Sequence, residues 1–339
     1  MPIPRDDGCT LTGALSVTTE IERCATIIHG PSGCAHHNFS LLHALHAARD
    51  HITTPALIST DMSEREVIFG GEHLLEEAIF EAFSRHPDII CVLSTCVAAT
   101  IGDDVDALCR IPHDIPVIHV PTGGFLGGGF LSGHINALQT LSHLAKRGEG
   151  SLSVNLVGEK TLEYEVQEHY REVSRILASM GVPVHTRFVC GSSLPDIQRL
   201  GNASLNILRD PSMVPLGTTL DRELGIPFVD SFPLGMEGTI RFMEEVGAAL
   251  SLDVTDAIAE EEALQREMVR AFSSLKGKRI RFSTRYAEEG VFHPGYELAE
   301  MLDLEIHEHG NPVPVPDPFP VGTHGIRRLL NRWMRGCHA

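Results

Sequence analysis

Residues 25–48 read ATIIHGPSGCAHHNFSLLHALHAA. A short apolar, β-branched run ends at His29, the turn formers Gly30, Pro31 and Gly33 follow, and a helix-like segment opens at Cys34. The order is strand, tight loop, helix. Residues 88–96, DIICVLSTC, repeat it: Asp88–Leu93 is a candidate strand and Ser94-Thr95-Cys96 leads into the next helix. Both cysteines therefore fall at the carboxyl end of a strand, where parallel α/β sheets gather their ligands.

The same alternation runs along the chain. Further strands are expected at Ala56–Ser59, Pro116–Val120, Leu152–Val157, Pro183–Phe188, Ser204–Leu208, Pro227–Asp230, Arg279–Ser283 and Leu304–His307. Helices are expected at Glu72–Arg85, Gly133–Lys146, Thr161–Met180, Gly235–Leu250 and Ala257–Leu275, with a final amphipathic helix over Val321–Arg335. On the segment after Gly158, Leu162, Val166, Tyr170, Val173 and Leu177 share one face at steps of three and four. Strand–helix alternation implies an α/β protein of Rossmann-like parallel sheets covered by helices. The polar, glycine-rich stretch Lys146–Ser151 and the segment Lys276–Lys278 suggest boundaries, giving expected domains at 1–148, 149–275 and a short third one with the C-terminal helix at 276–339. The proline-rich stretch Gly310–Gly322 reads as irregular.

With 339 residues, 42% apolar and 21% charged, the chain has the composition of a packed globular protein. A net charge of −18 argues against a general nucleic-acid binder. No apolar run approaches the about 18 residues that span a bilayer, and MPIPRDDGCT is no secretory signal, so a cytoplasmic protein away from membranes is expected. Eight cysteines in such a chain read as metal ligands, redox groups or buried fillers before disulfides. Cys24, Cys91, Cys109 and Cys190 lie inside apolar runs and read as core, while Cys337 sits in the tail with no assigned role. Cys9, Cys34 and Cys96 stand instead at loop positions beside small residues, where three strand-end loops can converge and where Gly8, Gly33 and Ser94 let backbone approach a metal group. CxxC pairs are absent, and burial as small hydrophobes is the competing reading of these three.

The motifs around them add specificity. In order they are Gly8-Cys9-Thr10-Leu11-Thr12-Gly13-Ala14, His29-Gly30-Pro31-Ser32-Gly33-Cys34, Phe69-Gly70-Gly71 with Leu74, Ser94-Thr95-Cys96 with Ile101-Gly102-Asp103-Asp104, Thr122-Gly123-Gly124-Phe125 and Val154-Asn155-Leu156-Val157-Gly158. This series resembles the nitrogenase component 1 superfamily, which includes molybdenum–iron protein subunits, cofactor scaffolds and the dark-operative protochlorophyllide and chlorophyllide reductases. The resemblance implies that Cys9, Cys34 and Cys96 hold an iron–sulfur (4Fe-4S) cluster at a subunit interface. It further implies electron delivery by a separate iron–sulfur ATPase reductase component. The chain itself has no GxxxxGK[ST] phosphate loop, so ATP falls to that partner.

Two departures narrow the resemblance. The chain is short, mainly in its third domain. Residues 206–213 read NILRDPSM, with no thiolate where molybdenum–iron proteins anchor their active-site cofactor. It looks most like the compact, self-pairing branch that makes the nickel tetrapyrrole coenzyme of methanogenesis. The implied activity is that of the catalytic component of an ATP-dependent reductive cyclase: reduction and lactam closure of Ni-sirohydrochlorin a,c-diamide by a homodimer. A metallocofactor scaffold or maturation protein of the same fold, without turnover, is the alternative, and a different tetrapyrrole is a third. A cubane on a homodimer axis would take two equivalent ligands from each chain, whereas off-axis clusters would take three thiolates and a fourth group each.

Proton donors are sought among His36 and His37, which follow Cys34, and His134, which follows the glycine-rich loop Gly123–Gly129; solvated or helix-start roles compete for each. His307 and His309 share a strand face that can bind metal or simply be a solvated edge. Arg281, Arg285, Arg327 and Arg328 are candidates for substrate carboxylates, against ordinary surface roles.

Overall fold

The computed structural model describes residues 8–48, 56–125, 128–163, 165–283, 294–316 and 319–338. Arg285 lies outside them. The chain divides into two compact units, residues 1–166 with 185–228, and residues 167–184 with 229–339.

The first unit holds two sheets, the first of them parallel throughout. In one, β1 (Cys24–His29), β2 (Leu57–Ser59), β3 (Ile89–Ser94) and β4 (Val117–Pro121) lie in the order β2-β1-β3-β4. The chain goes one way from β1 to β2 and then crosses to the other side for β3. That reversal makes a topological switch point between the carboxyl ends of β1 and β3. His29 and Ser94 are register partners there, so the loops leading to Cys34 and Cys96 leave the sheet side by side. The apolar side chains expected on these strands are buried: Ile27, Ile28, Ile89, Ile90, Val92 and Leu93 are all shut from solvent. The second sheet has β5 (Arg147–Val157), β6 (Val184–Phe188), β7 (Gly201–Leu208) and β8 (Phe228–Val229) in the order β6-β5-β7-β8. Lys146–Ser151 is thus no linker: from Arg147 onward it is the exposed opening of β5, with Arg147 and Ser151 paired to Gly201 and Ala203.

A helix that the sequence reading did not anticipate, Thr10–Thr18, has all nine residues buried. It crosses the helix Phe130–Ser142 at two glycines. A Cβ on Gly13 would lie 1.8 Å from the Phe130 carbonyl oxygen, and one on Gly133 would lie 1.8 Å from that of Thr10. Only backbone fits at this crossing, and it fixes the place of Cys9, the residue that caps the first helix.

The second unit carries a three-stranded parallel sheet in the order β10-β9-β11, formed by β9 (Arg279–Ser283), β10 (Glu305–Ile306) and β11 (Asn311–Pro314). Asn311–Pro314 is therefore an edge strand rather than part of an irregular tail; a proline is tolerated on an edge, where no neighbour needs its missing N–H. The core packs Ile280, Val313, Leu298 and Phe272 against Trp333 of the helix Gly322–His338, and Cys337 joins that packing. The helix predicted from Thr161 begins at Val166. On it, Glu172 and Arg175 form a buried ionic group with Glu261: Arg175 donates to both carboxylates at 2.9 Å. Burial opposes the Arg175 charge, but the bonds to Glu172 and Glu261 outweigh it and hold the guanidinium above its ordinary pKa.

Candidate metal centre

Cys9, Cys34 and Cys96 come together. Cys9 is exposed at the start of Thr10–Thr18; Cys34 and Cys96 are half-buried in the opening turns of Ser32–Ala48 and Cys96–Ile101. Burial pushes the Cys34 thiol above its ordinary pKa, and negative charge on Cys9 and on Cys96 pushes it further. The Cys9 and Cys96 sulfurs are thus close enough to Cys34 to oppose its ionisation. A bound cationic iron centre would reverse that sign and hold all three as thiolates. Among the described residues, no three His, Cys, Asp or Glu side chains converge on the spacing of a single metal ion. Three cysteine thiols are the donor type that iron–sulfur groups take, and Cys9, Cys34 and Cys96 would hold such a group as thiolates.

The surroundings are built for close approach. The Gly124 N–H donates to Cys96 Sγ at 3.2 Å. The Thr12 hydroxyl lies 3.4 Å from Cys9 Sγ. The Thr10 and Thr95 side chains, next to Cys9 and Cys96, are buried with hydroxyls that lack a partner. Thr10 packs under Gly124, where a Cβ would come within 2.5 Å of its Oγ1, and Thr95 against Gly30, where a Cβ would come within 2.0 Å. The glycine-rich loop therefore ties the Cys9 side of the site to the Cys96 side; Leu126 and Gly127 in it lie outside the described residues. Gly8 is confined by Thr12 and Phe130, whereas a side chain at Gly33 would meet open space.

Other candidates fall differently. Ser94 turns its hydroxyl to His119 Nε2 at 2.8 Å, and His119 Nδ1 reaches Asp106 Oδ1 at 2.8 Å, so this side chain faces β4. His36 and His37 are exposed. His134 is buried inside the crossing of the two helices, with Nδ1 3.0 Å from Ser16 Oγ. His307 and His309 lie exposed beyond the end of β10, and the His309 N–H donates to His307 Nδ1 at 3.1 Å. Arg281 and Arg327 are exposed, and Arg328 is half-buried.

A group that the sequence did not reveal holds the Cys34 loop. His29 Nε2 is 2.9 Å from Asp103 Oδ2, and both side chains are buried. Asp103 also accepts the Gly71 N–H through both oxygens at 3.1 Å. Thr60 Oγ1 accepts the Gly30 N–H at 2.9 Å and meets His29 Nδ1 at 3.2 Å. Burial holds His29 below its ordinary pKa of 6.5, against the pull of Asp103, so near neutral pH it is an uncharged imidazole donating from Nε2. The motif residues His29, Gly71 and Asp103, spread over three segments, act here as one clamp on the strand ends. The signal for it was the co-occurrence of FGG and GDD, which carries no distance information.

Residues 9–287 match the family described as nitrogenase component 1 type oxidoreductase. The chain belongs to that family. It is 30% identical over 285 residues to the nitrogenase iron-molybdenum cofactor biosynthesis protein NifE of Clostridium pasteurianum, covering 80% of this chain and 61% of that protein. It is 29% identical over 289 residues to the nitrogenase iron-iron protein alpha chain of Rhodobacter capsulatus, covering 80% and 54%. The chain thus spans about three fifths or less of the length of these relatives. The solved structure described as nitrogenase Cp1 at pH 6.5 superimposes with a TM-score of 0.65 at 24% identity, over 90% of this chain and 62% of that one, which establishes the shared fold. Among the described residues no helix is long and apolar enough to cross a membrane.

Proposed function

We propose that the protein is the substrate-reducing component of a two-component, nitrogenase-like reductase, with Cys9, Cys34 and Cys96 as ligands of a 4Fe-4S cluster. The observation that carries this reading is the convergence of three free thiols at the switch point of a parallel sheet: Cys9 and Cys96 raise the cost of ionising Cys34, and each of those two meets a hydrogen-bonding group. Three thiolates leave a cubane one ligand short. Cys9 is exposed, so the missing ligand and cover can come from a second copy, and the functional unit is a homodimer. The bound cluster would supply one-electron transfer. The chain's own part is to hold the thiolates, orient the substrate and exclude water. Electrons come from a separate iron–sulfur ATPase.

The substrate we assign is a nickel tetrapyrrole, Ni-sirohydrochlorin a,c-diamide, reduced and closed to a lactam on the route to the methanogenic coenzyme. Support for this finer step is the chemistry at the end of β7. There Arg209 pairs with Glu163 and Asp210 with Lys160, so charged pairs stand where a cofactor-anchoring thiolate would be needed. The matches to a cofactor biosynthesis protein favour a second reading, a scaffold that holds a metallocofactor precursor without converting it. Anaerobic incubation with the ATPase partner, ATP and the nickel tetrapyrrole separates the two. ATP-dependent conversion to a reduced, lactam-bearing product supports the reductase; release of the compound unchanged supports the scaffold and overturns the first reading.

A further inference from the structure

Cys9 and Thr12 occupy the two ends of the first turn of Thr10–Thr18. A residue before a helix commonly uses its side chain to accept from the helix backbone. Cys9 makes no such bond; its sulfur meets the Thr12 hydroxyl at 3.4 Å. Thr12 is 5% exposed, so water does not compete freely for that hydroxyl. A thiol and a hydroxyl can each donate, but a metal-bound thiolate carries no proton, which leaves the Thr12 hydroxyl as the donor. The backbone around the turn is fixed by the glycine crossing, since Gly13 and Gly133 admit only backbone contact on either side of it. The Thr12–Cys9 pair is therefore held in register by the fold. On the opposite side of the site, the Gly124 N–H makes the matching bond to Cys96 at 3.2 Å.

We propose that Thr12 is a positioning residue that sets the reduction potential of the iron–sulfur group through a hydrogen bond to Cys9 Sγ. A donor aimed at a thiolate sulfur draws off negative charge. The reduced cluster carries one more electron than the oxidised one, so the bond stabilises the reduced form more and raises the potential. Gly124 acts in the same sense at Cys96, but its donor is backbone and survives substitution of side chains. Thr12 is thus a side chain at which the potential can be tuned without removing a ligand. The inference rests on the cluster assignment proposed above.

The test is a reductive titration of the anaerobically purified full chain, followed by electron paramagnetic resonance, with iron measured on the same samples. Thr12→Val keeps the branched shape and removes the hydroxyl. The expected result is a midpoint potential more negative than that of the wild type at equal iron content, with Thr12→Ser returning it towards the wild-type value. Equal potentials in Thr12→Val, Thr12→Ser and wild type, with iron retained, overturn the role of Thr12 and leave the cluster assignment standing. Absence of iron in the wild type overturns the cluster assignment itself. Should Thr12→Val fail to hold iron, the comparison of Thr12→Ser with Thr12→Ala decides the question by the same criterion.

Discussion

Replacing Asp103 with alanine removes the centre of the clamp that joins His29, Gly71 and the Cys34 loop. The magnitude follows from what is left behind. His29 is neutral near pH 7, so the interaction lost is a hydrogen bond from an uncharged ring to a carboxylate rather than a full ion pair. Bonds to a charged partner contribute about 1.5–3 kcal/mol, and a buried donor left without an acceptor costs about 1–3 kcal/mol. His29 Nε2 and the Gly71 N–H would both lose their carboxylate. Partial rescue by water that enters the vacated space sets the expected loss at about 2–5 kcal/mol for the first unit. Urea unfolding at pH 7.5 measures it, with two probes to check whether the units unfold together. A double cycle with His29→Leu should return a coupling of about 1–3 kcal/mol, because the two groups share one bond. A loss under about 0.5 kcal/mol for Asp103→Ala, the range of an ordinary surface change, would refute the clamp. The mildest functional symptom should be faster alkylation of Cys34, since Gly30, which enters its loop, hangs from the same group through Thr60.

Three further outcomes are expected from the same structure. His29 has a folded pKa below its unfolded value of 6.5, so its contribution is fully present above about pH 6.5 and is lost as the pH falls towards the folded pKa; unfolding free energies measured from pH 8 to 5 should decline below 6.5, and less steeply in His29→Gln. Gly133→Ala forces a methyl group to within 1.8 Å of the Thr10 carbonyl oxygen and should cost about 1–3 kcal/mol or more by thermal unfolding, whereas Gly33→Ala, with open space around it, should stay within about 0.5 kcal/mol. Arg175→Met leaves the buried carboxylates of Glu172 and Glu261 facing each other and should destabilise the second unit by about 3–5 kcal/mol, with partial recovery when Glu261 is changed to Gln in the same chain.

The strands β1, β3 and β7 were legible because most of their side chains are buried on both faces, and burial of that kind writes a continuous apolar run. The helix Thr10–Thr18 was not legible. Its sequence, TLTGALSVT, is rich in threonine, serine and glycine, and its stability comes from packing against Phe130–Ser142 through two glycines far apart in the chain. Asn311–Pro314 carries two prolines and reads as loop, yet it pairs with β9 along a sheet edge. Lys146–Ser151 read as a boundary because it is polar and glycine-rich, although from Arg147 onward its backbone is already in the sheet. At the site, the three cysteines could be named from their loops and from the family motifs. What local sequence does not encode is which neighbours serve them. The Ser94 hydroxyl turns to His119, and Asp103 reaches His29 across a distance that only the folded chain defines.

The central claim is that Cys9, Cys34 and Cys96 hold iron, and the most direct test is iron and acid-labile sulfide per chain in protein purified without oxygen, for the wild type and for Cys34→Ala. A 4Fe-4S cluster held by the three thiolates of each chain, with its fourth ligand from the second copy, predicts about four irons and four sulfides per chain, lost in the variant. No iron in the wild type, or an unchanged content in Cys34→Ala, would contradict the assignment.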